Sequence, residues 1–91
     1  MSKVLLEKHL FLIDLNENIA RFYKLQLVSV GYNKIQFVTT YGNMNGSGRS
    51  SLKVFEGDKS FFTSKKIFYS KLLELKSQGY FEKEKLVLDL L

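Results

Sequence analysis

Two runs of alternating residues, separated by a four-residue break, constrain this chain more than anything else in it. In residues 22–30, Tyr23, Leu25 and Leu27 fall on one side and Lys24 and Gln26 on the other. In residues 35–41, Ile35, Phe37, Thr39 and Tyr41 share one side, opposite Gln36, Val38 and Thr40. A period of two is that of a β-strand, whose successive side chains point to opposite faces. Between the runs, Gly31-Tyr32-Asn33-Lys34 supplies residues suited to a tight reversal. An antiparallel hairpin is therefore predicted, with at least one half-exposed strand.

The rest of the chain can be placed around that hairpin. Residues 4–15 read as extended: Leu10, Leu12 and Asp14 alternate with Phe11, Ile13 and Leu15, a pattern that admits a strand buried on both faces. Residues 14–18 form a polar break suited to a loop. Residues 51–55 alternate again, Leu52 and Val54 against Lys53 and Phe55. Gly57-Asp58-Lys59-Ser60 then punctuates the chain, with Asp58 or Ser60 as candidate helix caps. Over residues 61–77 the period changes. Phe61, Phe68, Leu72 and Leu75, spaced by seven, four and three, stack on one helical face, while Lys65, Lys66, Glu74 and Lys76 lie elsewhere. Phe61-Phe62 is expected to anchor the helix start, one ring entering the core. Gln78-Gly79 is expected to end the helix, and residues 82–91 read as a strand or a short helix. The predicted fold class is α+β: a small antiparallel β-sheet with one main α-helix packed on it, forming a single domain over residues 1–91.

Composition excludes several chemistries. The sequence contains no cysteine and one histidine, so disulfides, thiolate metal sites and multi-histidine sites are ruled out. His9 has no recognisable nucleophile or carboxylate constellation and reads as structural or surface. Glu56 and Asp58, beside Lys59, read as a solvated turn rather than a cation site. No cofactor motif is present, and an enzyme is not expected. No apolar run approaches the ~20 residues of a membrane span, and charges interrupt the apolar residues at the start, so neither a membrane partner nor a signal peptide is expected. A cytoplasmic chain is the expectation. The net charge is +5. Residues 21–76 hold ten basic residues against three acidic ones. That surplus favours a polyanionic partner such as DNA or another nucleic acid, although Lys65, Lys66, Lys71 and Lys76 also suit a merely solubilising helix face.

The stretch Tyr41-Gly42-Asn43-Met44-Asn45-Gly46-Ser47-Gly48-Arg49 invites comparison with phosphate-binding loops. A P-loop requires Gly-x-x-x-x-Gly-Lys-Ser/Thr running into a helix. Here the Lys-Ser/Thr pair is missing and a strand follows. A dinucleotide fingerprint fails as well, lacking its third glycine and its helix. A flexible hairpin turn centred on Asn45-Gly46 is the plain structural reading.

Several motifs in order resemble the WGR (Trp-Gly-Arg) domain, a module of poly(ADP-ribose) polymerases and of bacterial molybdate-metabolism-regulator-like proteins. Arg21-Phe22-Tyr23-Lys24-Leu25-Gln26 is similar to the family's opening strand, N-K/R-F-Y-x-x-Q. Residues 41–49 occupy the place of its W-G-R-I-G-x-x-G-Q signature. Leu52-Lys53-Val54-Phe55 resembles the strand after it, and Lys76-Ser77-Gln78-Gly79-Tyr80 resembles the K-x-x-G-Y that closes the helix in bacterial members. The resemblance covers roughly residues 10–81. Tyr41 stands where the family has its tryptophan and Asn43 where it has its arginine. Asn45 replaces a glycine, which asparagine tolerates through the left-handed region.

The resemblance implies a non-enzymatic module that binds nucleic acid without sequence preference. Tyr41 would stack on sugar or base, as the family's tryptophan does on sugar. Asn43 carries no charge, so phosphate contacts would fall to Arg49, Lys53, Arg21 and Lys24, together with the glycine loop. An equally open reading has Tyr41 extending the Ile35-Phe37-Thr39 face into the core. The alternative function is a protein–protein interaction domain of a larger bacterial regulator that has lost nucleic-acid binding. In that reading the apolar end, Lys85-Leu86-Val87-Leu88-Asp89-Leu90-Leu91, docks on a neighbouring domain or a second copy.

Overall fold

The computed structural model describes residues 2–46 and 48–82. Five strands and one helix follow one another: β1 (Lys3–Asp14), β2 (Ile19–Gly31), β3 (Lys34–Asn43), β4 (Arg49–Glu56), α1 (Ser60–Ser77) and the two-residue β5 (Phe81–Glu82). The strands form one antiparallel sheet in the order β4-β3-β2-β1-β5. Each neighbour from β1 to β4 is also the next strand in sequence, so short reversals suffice to build the meander. The α+β prediction therefore holds. The apolar end of the chain lies outside the described residues.

Register decides which side chains meet the helix. Directly opposite residues in an antiparallel pair share a face. Leu27 faces Phe37, Leu25 faces Thr39 and Leu10 faces Tyr23. These residues point to the side on which α1 lies. There Leu10, Leu25, Leu27, Ile35 and Phe37 pack with Phe68, Leu72 and Leu75 in one buried cluster. Complete burial of side chains such as Leu10, Leu25 and Phe68 contributes about 2 kcal/mol each in transfer free energy. Ser64, also fully buried, satisfies its hydroxyl by donating to the Phe61 carbonyl oxygen at 3.1 Å.

Among the described residues, no helix covers the opposite sheet face. Ile13, Leu52 and Val54 stand exposed on it, and β1 is therefore not buried on both faces, as its sequence allowed. One helix covers one face, and among the described residues no second layer exists to cover the other. The reversal between β2 and β3 is tighter than its four residues suggest, and Asn33 takes the left-handed conformation there. Asn18 does the same between β1 and β2. Asn45 does not: among the described non-glycine residues, only Asn18 and Asn33 have positive φ.

The two ends of α1 depart differently from expectation. Lys59 is the N-cap and makes no side-chain capping bond. Asp58 instead accepts a hydrogen bond from Asn33 Nδ2 at 3.0 Å, tying this turn to the β2–β3 reversal, and Ser60 is already the first helical residue. Neither phenylalanine at this end enters the core: Phe61 is 43% and Phe62 63% exposed. At the other end, the Gly79 amide donates to the Lys76 carbonyl and the Tyr80 amide to the Leu75 carbonyl. This is the Schellman pattern, and Gly79 takes the φ of +100° that it requires. A β-carbon at Gly79 would also meet Leu12 Cδ1 at 3.3 Å.

Glu82 locks the end of the fold. Its carboxylate pairs with Lys76 at 2.6 Å and with Lys8 at 3.0 Å, linking β5 to the helix and to β1. The hydrogen bond from Lys76, then that from Lys8, holds its pKa below the usual glutamate range.

Two outcomes are expected. Gly79→Ala should lower stability by about 1 kcal/mol in urea unfolding, because alanine at positive φ is strained. Glu82→Gln should cost about 1 kcal/mol near neutral pH. Because the folded-state pKa is depressed, the Glu82 contribution is present above the unfolded value and is lost as pH falls through the folded one. The difference between wild type and E82Q should therefore shrink toward zero on acidification, as read by unfolding midpoints across pH.

Candidate nucleic-acid interface

The sheet face that carries the core runs on along β2 and β3 into a row of aromatic and polar residues, and that end forms the site. Beyond the core residues Leu25 and Thr39, the same face continues with Tyr23 opposite Tyr41, then Arg21 opposite Asn43. Arg49 stands opposite Tyr41 on β4. The Schellman turn after α1 returns Tyr80 to this point. Arg21, Tyr23, Tyr41, Asn43, Arg49 and Tyr80 line an open recess of about 440 Å³, with Gly42 at its floor. A neighbouring recess of about 320 Å³ shares Arg21 and Asn43 and runs toward Asp14, Asn18 and Asn45.

The aromatic arrangement rests on Tyr23. Its ring stacks on Tyr41, with centroids 5.1 Å apart and planes 16° from parallel. Tyr80 meets it edge-on at 5.5 Å, and Lys71 Nζ lies 5.3 Å from its centroid. Lys71 also pairs with Glu74 at 3.6 Å, so this cation is partly balanced. Tyr41 has one ring face against Tyr23 and pairs with no other ring among the described residues. It continues the Ile35-Phe37-Thr39 face and stays half-buried at the margin of the core.

The guanidinium groups of Arg21 and Arg49 form no ion pair with any described residue. Both side chains are exposed. Two like charges at the rim of one recess favour an anion, offset in part on the Arg21 side by Asp14, which lines the neighbouring recess.

Of the six residues predicted to bind, the structure brings Tyr41, Asn43, Arg49 and Arg21 together. Lys53 shares their sheet face but lies four residues further along β4, opposite Phe37, with its ammonium 5.7 Å from the Phe55 ring centroid. Lys24 does not join them. It lies opposite His9 and Thr40 on the far face of the sheet, because its strand position has the other parity. Glu7, on that face, hydrogen-bonds His9 and Gln26 and is held below its usual pKa, chiefly by His9.

The glycine loop also behaves differently from a phosphate cradle. The Met44 amide donates to the Ala20 carbonyl at 2.9 Å and the Gly46 amide to the Asn43 carbonyl at 3.1 Å. These donors are spent on the fold. Gly42 opposes Phe22, and a β-carbon on Gly48 would lie 2.8 Å from Phe22 Cζ. The missing side chain at Gly48 therefore lets the Phe22 ring tip sit against the loop backbone. Sequence reasoning missed Tyr23 and Tyr80 as site residues. Their signal was present, Tyr23 in the Arg21-Phe22-Tyr23 run and Tyr80 directly after the helix-ending glycine, but nothing local shows that these rings converge.

This geometry sits in the segment matched by a known family, the WGR domain, over residues 6–86. The chain belongs to the WGR domain family. The WGR domain is a nucleic-acid-binding type of module. No curated protein matches the chain, and no solved structure matches it. Tyr41 and Asn43, which the resemblance sets against the family's tryptophan and arginine, lie on the face lined by Tyr23 and Arg49.

Tyr23→Leu should destabilise the domain more than Tyr41→Leu, because it removes both the stacked and the edge-on partner. With about 1 kcal/mol per aromatic pair, losses of about 2 and about 1 kcal/mol are expected in urea unfolding. Equal losses would contradict the central position of Tyr23.

Proposed function

We propose that this WGR domain is a non-enzymatic module that binds nucleic acid without sequence preference, through the recess flanked by Arg21 and Arg49. The observation that carries this reading is the juxtaposition of two guanidinium groups, without ion-pair partners among the described residues, with the half-buried Tyr41 ring. Arginine pairs with phosphate oxygens through two parallel N–H donors. An aromatic face takes sugar or base without demanding a particular hydrogen bond. Asn43, uncharged and exposed, adds an amide that can donate to a phosphate or a base edge. Membership of a nucleic-acid-binding type of family supports the same reading. The side chains at the recess carry the contact; the loop amides of Met44 and Gly46 do not, being already bonded within the fold.

Fluorescence anisotropy with a labelled oligonucleotide, repeated over a series of salt concentrations, tests this. Affinity should fall steeply with salt through counterion release. Arg49→Ala and Arg21→Ala should each weaken binding to any sequence and reduce the salt slope by about 1. Tyr41→Ala should cost about 1–3 kcal/mol of binding, and Tyr41→Phe should retain most of it because the ring face persists. Lys24→Ala, on the other sheet face, should leave affinity nearly unchanged. Binding that is absent at low salt, or that ignores the arginine variants, would refute the proposal.

A further inference from the structure

We propose that the outward face of α1 is a docking surface for an acidic amphipathic helix of another polypeptide. This surface lies on the side of the helix turned away from the sheet and is separate from the arginine–tyrosine recess. Phe62, Lys66, Tyr69 and Leu73 are spaced by four, three and four residues. On a helix of 3.6 residues per turn they fall in one narrow band, opposite the buried band of Ser64, Phe68, Leu72 and Leu75. An alternation of three and four is the spacing on which a second helix packs, because it keeps the seam facing its partner.

The band holds apolar groups that are outside the buried cluster of the described residues. Leu73 is 67% exposed and Phe62 63%, and Tyr69 stands beside them, also exposed. Their partners in the core direction are already supplied by the alternate residues of the same helix. Covering them with apolar side chains would remove that surface from water.

Charge selects the kind of partner. Between Ser60 and Ser77 the helix carries Lys65, Lys66, Lys71 and Lys76 against the single acid Glu74. Glu74 is turned off the band and pairs with Lys71, and Lys76 pairs with Glu82. Lys65 and Lys66 form no ion pair with a described residue; their ammonium groups lie 5.8 Å from the Phe61 ring centroid and 5.1 Å from that of Phe62. A second copy of this chain would set lysines against lysines. A lipid surface would find only three apolar residues in the band, Tyr69 being 37% exposed, and membrane affinity scales with the apolar area buried. A nucleic acid would satisfy the lysines and leave Phe62 and Leu73 without apolar contact. A helix with leucines along its seam and glutamates flanking them satisfies all of these groups at once.

The test uses the full chain and a fluorescein-labelled synthetic peptide of about 18 residues, with leucine at the seam positions and glutamate on either side. Controls are a peptide of the same composition in scrambled order and vesicles of mixed phosphatidylcholine and phosphatidylserine. Anisotropy should show saturable binding of the patterned peptide at least about tenfold tighter than the scrambled one. The exposed double variant Phe62→Ser/Leu73→Ser and the charge reversal Lys66→Glu should each weaken it by about tenfold or more, with circular dichroism unchanged. An unlabelled oligonucleotide should not displace the peptide. Equal binding of patterned and scrambled peptides, indifference to both variants, displacement by the oligonucleotide, or binding to vesicles in place of the peptide would each overturn the proposal.

Discussion

The pairing of β2 with β3 determines on which side of the sheet every later feature appears. With Leu27 opposite Phe37 and Tyr23 opposite Tyr41, one face gathers the residues that α1 covers and the other faces water. A slip of one residue would send Leu25 and Leu27 outward and bring Lys24 and Gln26 beneath the helix. The register is protected by the apolar content of the inner face and by the short reversal at Tyr32-Asn33, where Asn33 adopts positive φ and its side chain holds the following turn through Asp58. Burial of the inner face and placement of the candidate site are thus consequences of one alternation.

The candidate site lies where the core face of the sheet continues beside the helix. Tyr23 and Tyr41 extend that face, with Lys71 of α1 reaching the Tyr23 ring, and both rings are half-buried. The Schellman turn closes this end by folding Tyr80 against Tyr23. A recess walled by aromatic rings and flanked by Arg21 and Arg49 results. The glycines nearby serve the backbone. Gly48 leaves room for Phe22, and the loop amides at Met44 and Gly46 are consumed by the fold. The resemblance of the loop to a phosphate cradle is one of composition, since the Met44 and Gly46 amides are bonded within the fold.

The helix shows how a residue pattern can serve two surfaces. Apolar residues occupy both its inner and its outward bands, so it has little overall amphipathicity while still burying Phe68, Leu72 and Leu75. Phe61 and Phe62 illustrate the difficulty of reading such a helix from spacing alone. Phe61 falls in line with Phe68, but the core does not extend to the first turn, and both rings remain exposed beneath lysines. The same limit applies to β1, whose alternating apolar residues suit burial on two faces although only one face has a layer to pack against.

Local chemistry was sufficient to specify the strands, the helix and its glycine end, because strand and helix periods differ and because positive φ selects glycine and asparagine. Motif order singled out Arg21, Tyr41, Asn43 and Arg49, which the fold brings to one recess. It did not show that Lys24 lies on the other sheet face or that Tyr23 and Tyr80 line the same recess. Which rings touch and which cations have no ion pair among the described residues were settled only in three dimensions. Those properties depend on distances between segments far apart in the chain, and a side chain's neighbours across strands follow from register and packing rather than from its own identity.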